Sequence, residues 1–428
     1  MVPSIGRLAG NSLVVLIRRA WRRYRSRRQA VGLQSTKKAA AVGGCVTLLA
    51  CELMTTTGES AGPSAKSLLV WRTSDVSQVA RITVDDGSLY ALTLSHQVAA
   101  IDKGTGATRW KIQLSTSVPS RYGDGMMLAA GYVIVGDIDL FALDPTTGTQ
   151  VWKYSPSVGA WPGYSKQFLD GSTIYCGSAT GHVYAVDAKS GTERWVSHIV
   201  ADTSTNVYSP LVSGGTVFVA YTHFVPIPHL RKIGGLAALD EATGRVLWST
   251  LLPQSDTADV TGVWGDPNAI ELTPTTVVTQ AADDRFYVLN RQTGEIVATL
   301  PTSTFTSGPT FLHPEDFPSL GVTSNSVIVA SSEFTSISAI SMDGARLLWR
   351  IPFAFGSPTR ITVGADRIYS GAGAGQFAAY DLSGKLLWTI NRGDLRADHQ
   401  EGIVYPAAID ADRVYVPGAL EVYAFRKY

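Results

Sequence analysis

The residues best suited to chemistry fall in a few short clusters. Asp394, Arg396, Asp398, His399 and Glu401 lie close together, and His313, Glu315 and Asp316 form a second group. Imidazole and carboxylate donors in such company can bind a metal ion. Neither group has the spacing of an H-E-x-x-H helix or an EF-hand loop. Gly371-Ala-Gly-Ala-Gly375 has the small residues a phosphate-binding turn needs. Such a turn also needs a helix N-terminus, and the flanking residues here read as strands. The seven histidines stand in no fixed relation to a nucleophile. Asp283-Asp284 and Asp410-Ala-Asp412 read as solvated turn residues. The sequence predicts no catalytic set, no resident cofactor and no metal site.

One covalent modification is foreshadowed. Residues 1–50 hold ten Arg and Lys and no acid, and an apolar run, Ala39 to Ala50, leads into Leu48-Leu49-Ala50-Cys51. A basic start, a short apolar core and a small residue before the cut make an export signal. Leu-Leu-Ala-Cys resembles the bacterial lipobox, which implies cleavage before Cys51 and lipid on its thiol. Cys45 then leaves with the signal and Cys176 stays without a disulfide partner. A transit peptide and a mis-assigned start codon remain open alternatives for the Arg-rich N-terminus. Thr55 to Lys66 is small and polar, as a flexible tether is. The expected division is 1–50 signal, 51–66 tether and 67–428 folded body.

The net charge of +1 conceals an asymmetry. Without residues 1–50 the chain has 26 basic and 35 acidic residues, a net of −9. A mildly acidic body argues against nucleic acid as a partner.

The elements that must carry these residues repeat at about 40-residue intervals. VAAIDKGTGATRW (98–110), LFALDPTTGTQVW (140–152), HVYAVDAKSGTERW (182–195), LAALDEATGRVLW (236–248) and FAAYDLSGKLLW (377–388) are copies of one pattern. An apolar strand ends in Asp, which caps free N–H groups of a tight turn. Gly supplies the positive φ that returns the chain, and a last strand carries Trp. The Trp ring is large enough to cover the seam to a neighbouring unit.

Marking that position gives Trp110, Trp152, Trp195, Trp248, Ala298 (Trp lost), Trp349 and Trp388. After Trp388 the run RVYVPGALEVYAF (413–425) lacks its last strand, and Leu68-Leu69-Val70-Trp71 precedes the first full repeat. The fold expected is all-β, an eight-bladed β-propeller of four-stranded antiparallel blades. Seven blades are complete, and the N-terminal strand closes the eighth, leaving no free ring edge. Seven blades are the alternative.

The A-[LV]-D-x-x-[ST]-G-x-x-x-W pattern resembles the pyrroloquinoline-quinone-type propeller repeat, from Leu68 to Tyr428. Two branches of that family carry different implications. The quinoprotein dehydrogenases imply a quinone and calcium in the channel, covered by adjacent cysteines. No two cysteines are adjacent here and no CxxCH occurs; Thr261-Gly-Val-Trp-Gly-Asp-Pro267 resembles a Trp-Gly-x-Pro stretch of those enzymes. Trp264 could stack on a quinone or pack between blades. The lipoprotein of the outer-membrane barrel-assembly machinery is similar in its lipobox, tether and single propeller. That branch implies a protein-binding scaffold. Its Leu/Arg-bearing contact segment has no counterpart in Val196 to Pro210, so no contact residue is carried over.

Strand direction separates two faces. Turns of the D-x-x-T-G type and the short first hairpins share one face. The other collects Thr222–Ile233 within a blade and the links Pro253–Asn268, Pro301–Gly321 and Asn391–Pro406. Long loops on a rigid scaffold are where binding resides, although such loops can also simply cover the channel. The expected partner-binding residues are Phe224, His229, Leu230, Arg231, Lys232, Trp264, Asp394, Arg396 and His399. The function expected is a non-catalytic, monomeric periplasmic ring, lipid-anchored to the outer membrane through Cys51 and binding the barrel-assembly complex. The alternatives are a quinone- and calcium-dependent dehydrogenase, or a ligand-sensing propeller.

Overall fold

The computed structural model describes residues 65–427, apart from 115–124, 137, 157, 159–165, 200–204, 226–230, 254–259, 262–269, 282–284, 302–318, 332–333, 343–345, 354–357, 373–375, 391–393 and 395–405. One helical turn, α1 (Ala65–Leu68), leads into β1 (Leu69–Thr73). Blade 1 is β2 (Val79–Val84), β3 (Ser88–Thr93), β4 (Gln97–Asp102) and β5 (Thr108–Gln113). Blade 2 is β6 (Met126–Ala129), β7 (Tyr132–Gly136), β8 (Leu140–Leu143) and β9 (Gln150–Tyr154). Blade 3 is β10 (Phe168–Asp170), β11 (Thr173–Gly177), β12 (His182–Asp187) and β13 (Glu193–His198). Blade 4 is β14 (Thr205–Val212), β15 (Thr216–Val225), β16 (Arg231–Asp240) and β17 (Val246–Leu251), with β18 (Val260–Thr261) beside it. Blade 5 is β19 (Ile270–Leu272), β20 (Thr276–Ala281), β21 (Arg285–Asn290) and β22 (Ile296–Pro301). Blade 6 is β23 (Ser319–Val322), β24 (Ser326–Ser331), β25 (Phe334–Ser341) and β26 (Leu347–Pro352). Blade 7 is β27 (Pro358–Val363), β28 (Arg367–Ala372), β29 (Gln376–Asp381) and β30 (Leu386–Ile390). Blade 8 is β31 (Ala408–Ile409), β32 (Arg413–Pro417) and β33 (Val422–Arg426), completed by β1 in the order β1-β33-β32-β31. The protein is an eight-bladed all-β propeller, closed through antiparallel pairing of Leu69 with Phe425 and Thr73 with Val422.

The first strands of successive blades touch one another, so they ring the centre and the Trp-bearing strands form the rim. Middle strands are buried on both faces. Ser88–Thr93 has no exposed residue, and such strands read as near-continuous apolar runs. Rim strands alternate half-buried and exposed residues. Each blade's buried side chains pack against those of the next, giving eight separate cores, one per seam. Apolar burial therefore stabilises the ring rather than any blade alone.

The seams are latched on the turn face. Asp187 Oδ1 accepts from the backbone N–H of Lys189 and Ser190 and from the Ser190 hydroxyl, at 2.9–3.1 Å. Asp102, Asp144, Asp240, Asn290 and Asp381 cap their turns the same way. The Trp of each blade docks on the next blade's turn. Trp195 Nε1 donates to the Glu241 carbonyl at 2.9 Å, and its ring lies over Gly244, φ +72°. Trp71, Trp110 and Trp248 repeat the bond to Lys103, Pro145 and Arg291. A Cβ on Gly106, Gly148, Gly191, Gly244 or Gly294 would meet the docked Trp at 2.6–2.8 Å. The turn Gly thus serves both chain reversal and the seam. Where Ala298 replaces Trp, the receiving turn of blade 6 (Ser341-Met-Asp-Gly-Ala-Arg346) has lost the Thr-Gly pair as well. Trp388 meets no such turn, because blade 8 takes its last two strands from opposite chain ends. It packs on Phe425 instead.

Candidate partner-binding face

The opposite face carries one feature that breaks the eightfold pattern. In blade 3 the second hairpin pairs from Thr173↔Asp187 to Gly177↔Val183. In blade 4 the same ladder, starting at Thr216↔Asp240, continues past the equivalent Ala220↔Leu236 through five more pairs to Val225↔Arg231. At about 3.4 Å per residue the hairpin is roughly 17 Å longer than its neighbour. β14 lengthens with it on one side, from Val207↔Tyr221 to Thr205↔His223. On the other side β17 ends, and β18 replaces it in parallel, Lys232↔Val260 and Ile233↔Thr261. The blade therefore has five strands, and β18 covers an edge that would otherwise be open.

Local sequence explains the extension. Tyr221-Thr-His-Phe-Val225 is rich in residues that suit a pleated strand. Opposite them stand Gly234 and Gly235. A Cβ on Gly235 would come within 2.3 Å of the Tyr221 ring, which crosses β16 to bring its hydroxyl 2.9 Å from Ser249 Oγ on β17. The absent side chain leaves the space this buried ring occupies.

The span Thr222–Ile233, expected as an irregular insertion, is thus mostly regular hairpin. The structure brings three of the expected residues together at its end. Phe224 stands directly opposite Lys232, and Arg231 opposite Val225. Asp394 is exposed in the link after β30, three blades away from that hairpin. His229, Leu230, Trp264, Arg396, His399 and Cys51 lie outside the described residues, as do His313, Glu315 and Asp316.

The innermost strands hold a residue that sequence reasoning missed. Glu271 is on β19, opposite Val278. The register-equivalent inner positions of the other blades are Thr83, Met127, Phe168, Leu211, Gly321, Thr362 and Ala408. Glu271 is the one ionisable group at that level. Burial pushes its carboxyl up to about 7, against the opposing pull of Lys166. The signal was an acid where the repeat carries uncharged residues, visible only once the strands are in register. The turn carboxylate Asp187 and the buried thiol of Cys176 serve the fold. Arg194 and the turn N–H groups hold Asp187 well below the usual carboxylate range. Burial pushes the Cys176 thiol up.

Among the described residues no group of three or more His, Cys, Asp or Glu could hold a metal ion. No described helix is long and apolar enough to cross a membrane.

Latched Asp turns, docked Trp rings and eight closed blades define a propeller of the pyrroloquinoline-quinone-repeat class. The profile of the family described as outer membrane protein assembly factor BamB matches residues 65–220, 136–313 and 314–427. The chain belongs to that family. It is also 26% identical over 253 residues to polyvinylalcohol dehydrogenase of Sphingopyxis sp. (strain 113P3), covering 57% of this chain and 36% of the enzyme. The chain spans about a third of the length of that relative. Among solved structures, a quinohemoprotein alcohol dehydrogenase of Pseudomonas putida HK5 superposes with a TM-score of 0.61 at 14% identity, covering 84% of this chain and 76% of its own. The computationally designed protein Ika8 reaches 0.59 at 15% identity, over 82% of this chain and 96% of its own. An enzyme and a designed protein match equally well, so these likenesses speak for the ring and not for a chemistry.

Proposed function

We propose that this protein is a non-catalytic, exported propeller that binds a protein partner in outer-membrane protein assembly. Its lipid anchor is at Cys51. The observation that carries this reading is the extended blade 4 hairpin, a lengthened ladder on the face that also gathers the long links. It sets Phe224 and Arg231 at its end, an aromatic and an arginine of the kind enriched in protein contacts, with Lys232 opposite Phe224. Family membership supports the same reading. Binding is positional: several loop contacts act together, and membrane attachment raises their effective concentration.

The likeness to polyvinylalcohol dehydrogenase favours a second reading, a quinone- and calcium-dependent oxidoreductase. The residues at hand do not fit it. The chain has no adjacent cysteines, and at the level of Glu271 the inner strands offer a single carboxyl. No step is therefore derived through a quinone.

The test is co-purification of the tagged full-length protein from solubilised membranes, wild type against a Leu230→Ala/Arg231→Ala double variant. The scaffold reading expects an outer-membrane barrel with the wild type and its loss with the variant. Equal recovery by both would remove the hairpin from the contact. Dye reduction on adding quinone and calcium would favour the enzyme.

A further inference from the structure

One pair of side chains remains unabsorbed by the binding face. His182 opens β12 and His198 closes β13, and they are direct cross-strand partners. Ile199 N–H donates to the Gly181 carbonyl at 2.9 Å, so the neighbouring pair carries the ladder bonds. His182 and His198 therefore occupy a non-hydrogen-bonded pair, where side chains approach most closely. Their rings are parallel within 1°, with centroids 4.3 Å apart.

One ring is hydrogen-bonded and buried, and the other is exposed. Thr180 Oγ1 lies 3.2 Å from His182 Nδ1, and Ser178 Oγ accepts the His182 backbone N–H at 3.0 Å. His182 is 7% exposed, whereas His198 is open to solvent. With Nδ1 held by the threonine, Nε2 is the nitrogen of His182 left to act as a ligand. An orienting hydrogen bond on the non-ligating nitrogen is the usual companion of a metal-binding imidazole.

We propose that His182 and His198 form a two-imidazole chelate for a divalent transition ion of the Cu2+, Ni2+ or Zn2+ class, with water completing the shell. Parallel ring planes do not aim their lone pairs at one point, so one ring must turn. Binding draws the two nitrogens to about 2.0–2.1 Å from the ion. His198 meets this by rotating about its own side-chain bonds while Thr180 holds His182. The site lies one blade away from the extended hairpin and does not depend on the partner reading.

The experiment loads the full-length protein with one equivalent of Cu2+ at neutral pH. Electron paramagnetic resonance reads the coordinating nitrogens, and chelator competition reads the affinity. The expected result is a two-nitrogen signature that His229→Ala and His399→Ala leave intact. His198→Ala, at an exposed strand end, removes that signature. It weakens binding by at least about tenfold, since loss of an orienting partner alone costs roughly 10–100-fold. Thr180→Val keeps both imidazoles and weakens binding by about tenfold. A wild-type signal and affinity that survive His198→Ala would overturn the proposal, and so would a wild type that fails to bind.

Discussion

Replacing Gly244 with Ala tests the latch that joins the blades. Two costs act on this one position. A non-glycine residue held in the left-handed region costs roughly 1–2 kcal/mol. The new Cβ would also stand 2.6 Å from Trp195 Cε3, so the ring must move. Overpacking of that kind costs about 1–3 kcal/mol. If the ring leaves, its bond to the Glu241 carbonyl goes too, about 0.5–1.5 kcal/mol more. The expected loss is about 3–5 kcal/mol. The same blade offers the control. Gly214 has φ +63° but nothing within 4 Å of its Cβ position, so Gly214→Ala carries the backbone cost alone, about 1–2 kcal/mol. Guanidinium denaturation of both variants, compared at a common m-value, reads the difference. Equal midpoint shifts would refute the idea that the Trp–Gly contact holds the seam.

Three other outcomes follow from the same geometry. Glu271→Gln removes a carboxyl whose pKa is raised to about 7 in the fold, above its ordinary value near 4.3. The wild type then loses stability as pH rises through that window, and the variant does not. At pH 8 the variant is more stable by up to about 3 kcal/mol, with the gap closing by pH 4; thermal melts against pH check this, and parallel curves would contradict it. Asp187→Ala destabilises more than Arg194→Ala, since it strips three acceptor bonds from a turn, whereas the half-exposed ion pair is worth under about 1 kcal/mol. Because the Asp187 pKa is depressed, its contribution is present above the unfolded value and fades as pH falls below about 4, and Asp187→Ala abolishes that fading. Cys176 is fully buried, so alkylation in native buffer spares its peptide until denaturant opens blade 3. Peptide mass mapping decides this, and prompt native labelling would contradict the burial.

Much of the ring was legible because its signals are local. Asp, Gly and Trp stand within one hairpin, so each copy announces a turn and a rim strand without reference to the rest. The lost Trp at Ala298 did not obscure the count, since the strands around it kept their pattern. Closure by Leu69–Thr73 was legible from a remainder, a Trp strand at one end and its absence at the other. What stayed hidden depends on pairing between distant residues. The span Thr222–Ile233 read as a long loop, while much of it is a ladder in which Tyr221 lies against Gly235. β18 pairs in parallel with residues about 28 positions upstream, a partnership no periodicity reveals. His182 and His198 meet only because of register, and Glu271 stands out only when eight inner strands are aligned.

The closing strand has a consequence for how the molecule is made. Leu69 and Phe425 become neighbours although almost the whole propeller lies between them in the chain. Seven blades use consecutive strands, so each can dock on its predecessor as it is completed. The eighth cannot form until β31 to β33 exist, and β1 waits, unpaired, until then. Joining such distant segments is slow, since loop-closure entropy is spent before any bond repays it. Until then the rim of β33 is an open template, and two seams, one on either side of blade 8, are incomplete. Closing the ring is therefore one sealing step, and damage to β1 or to β33 is felt at the same place.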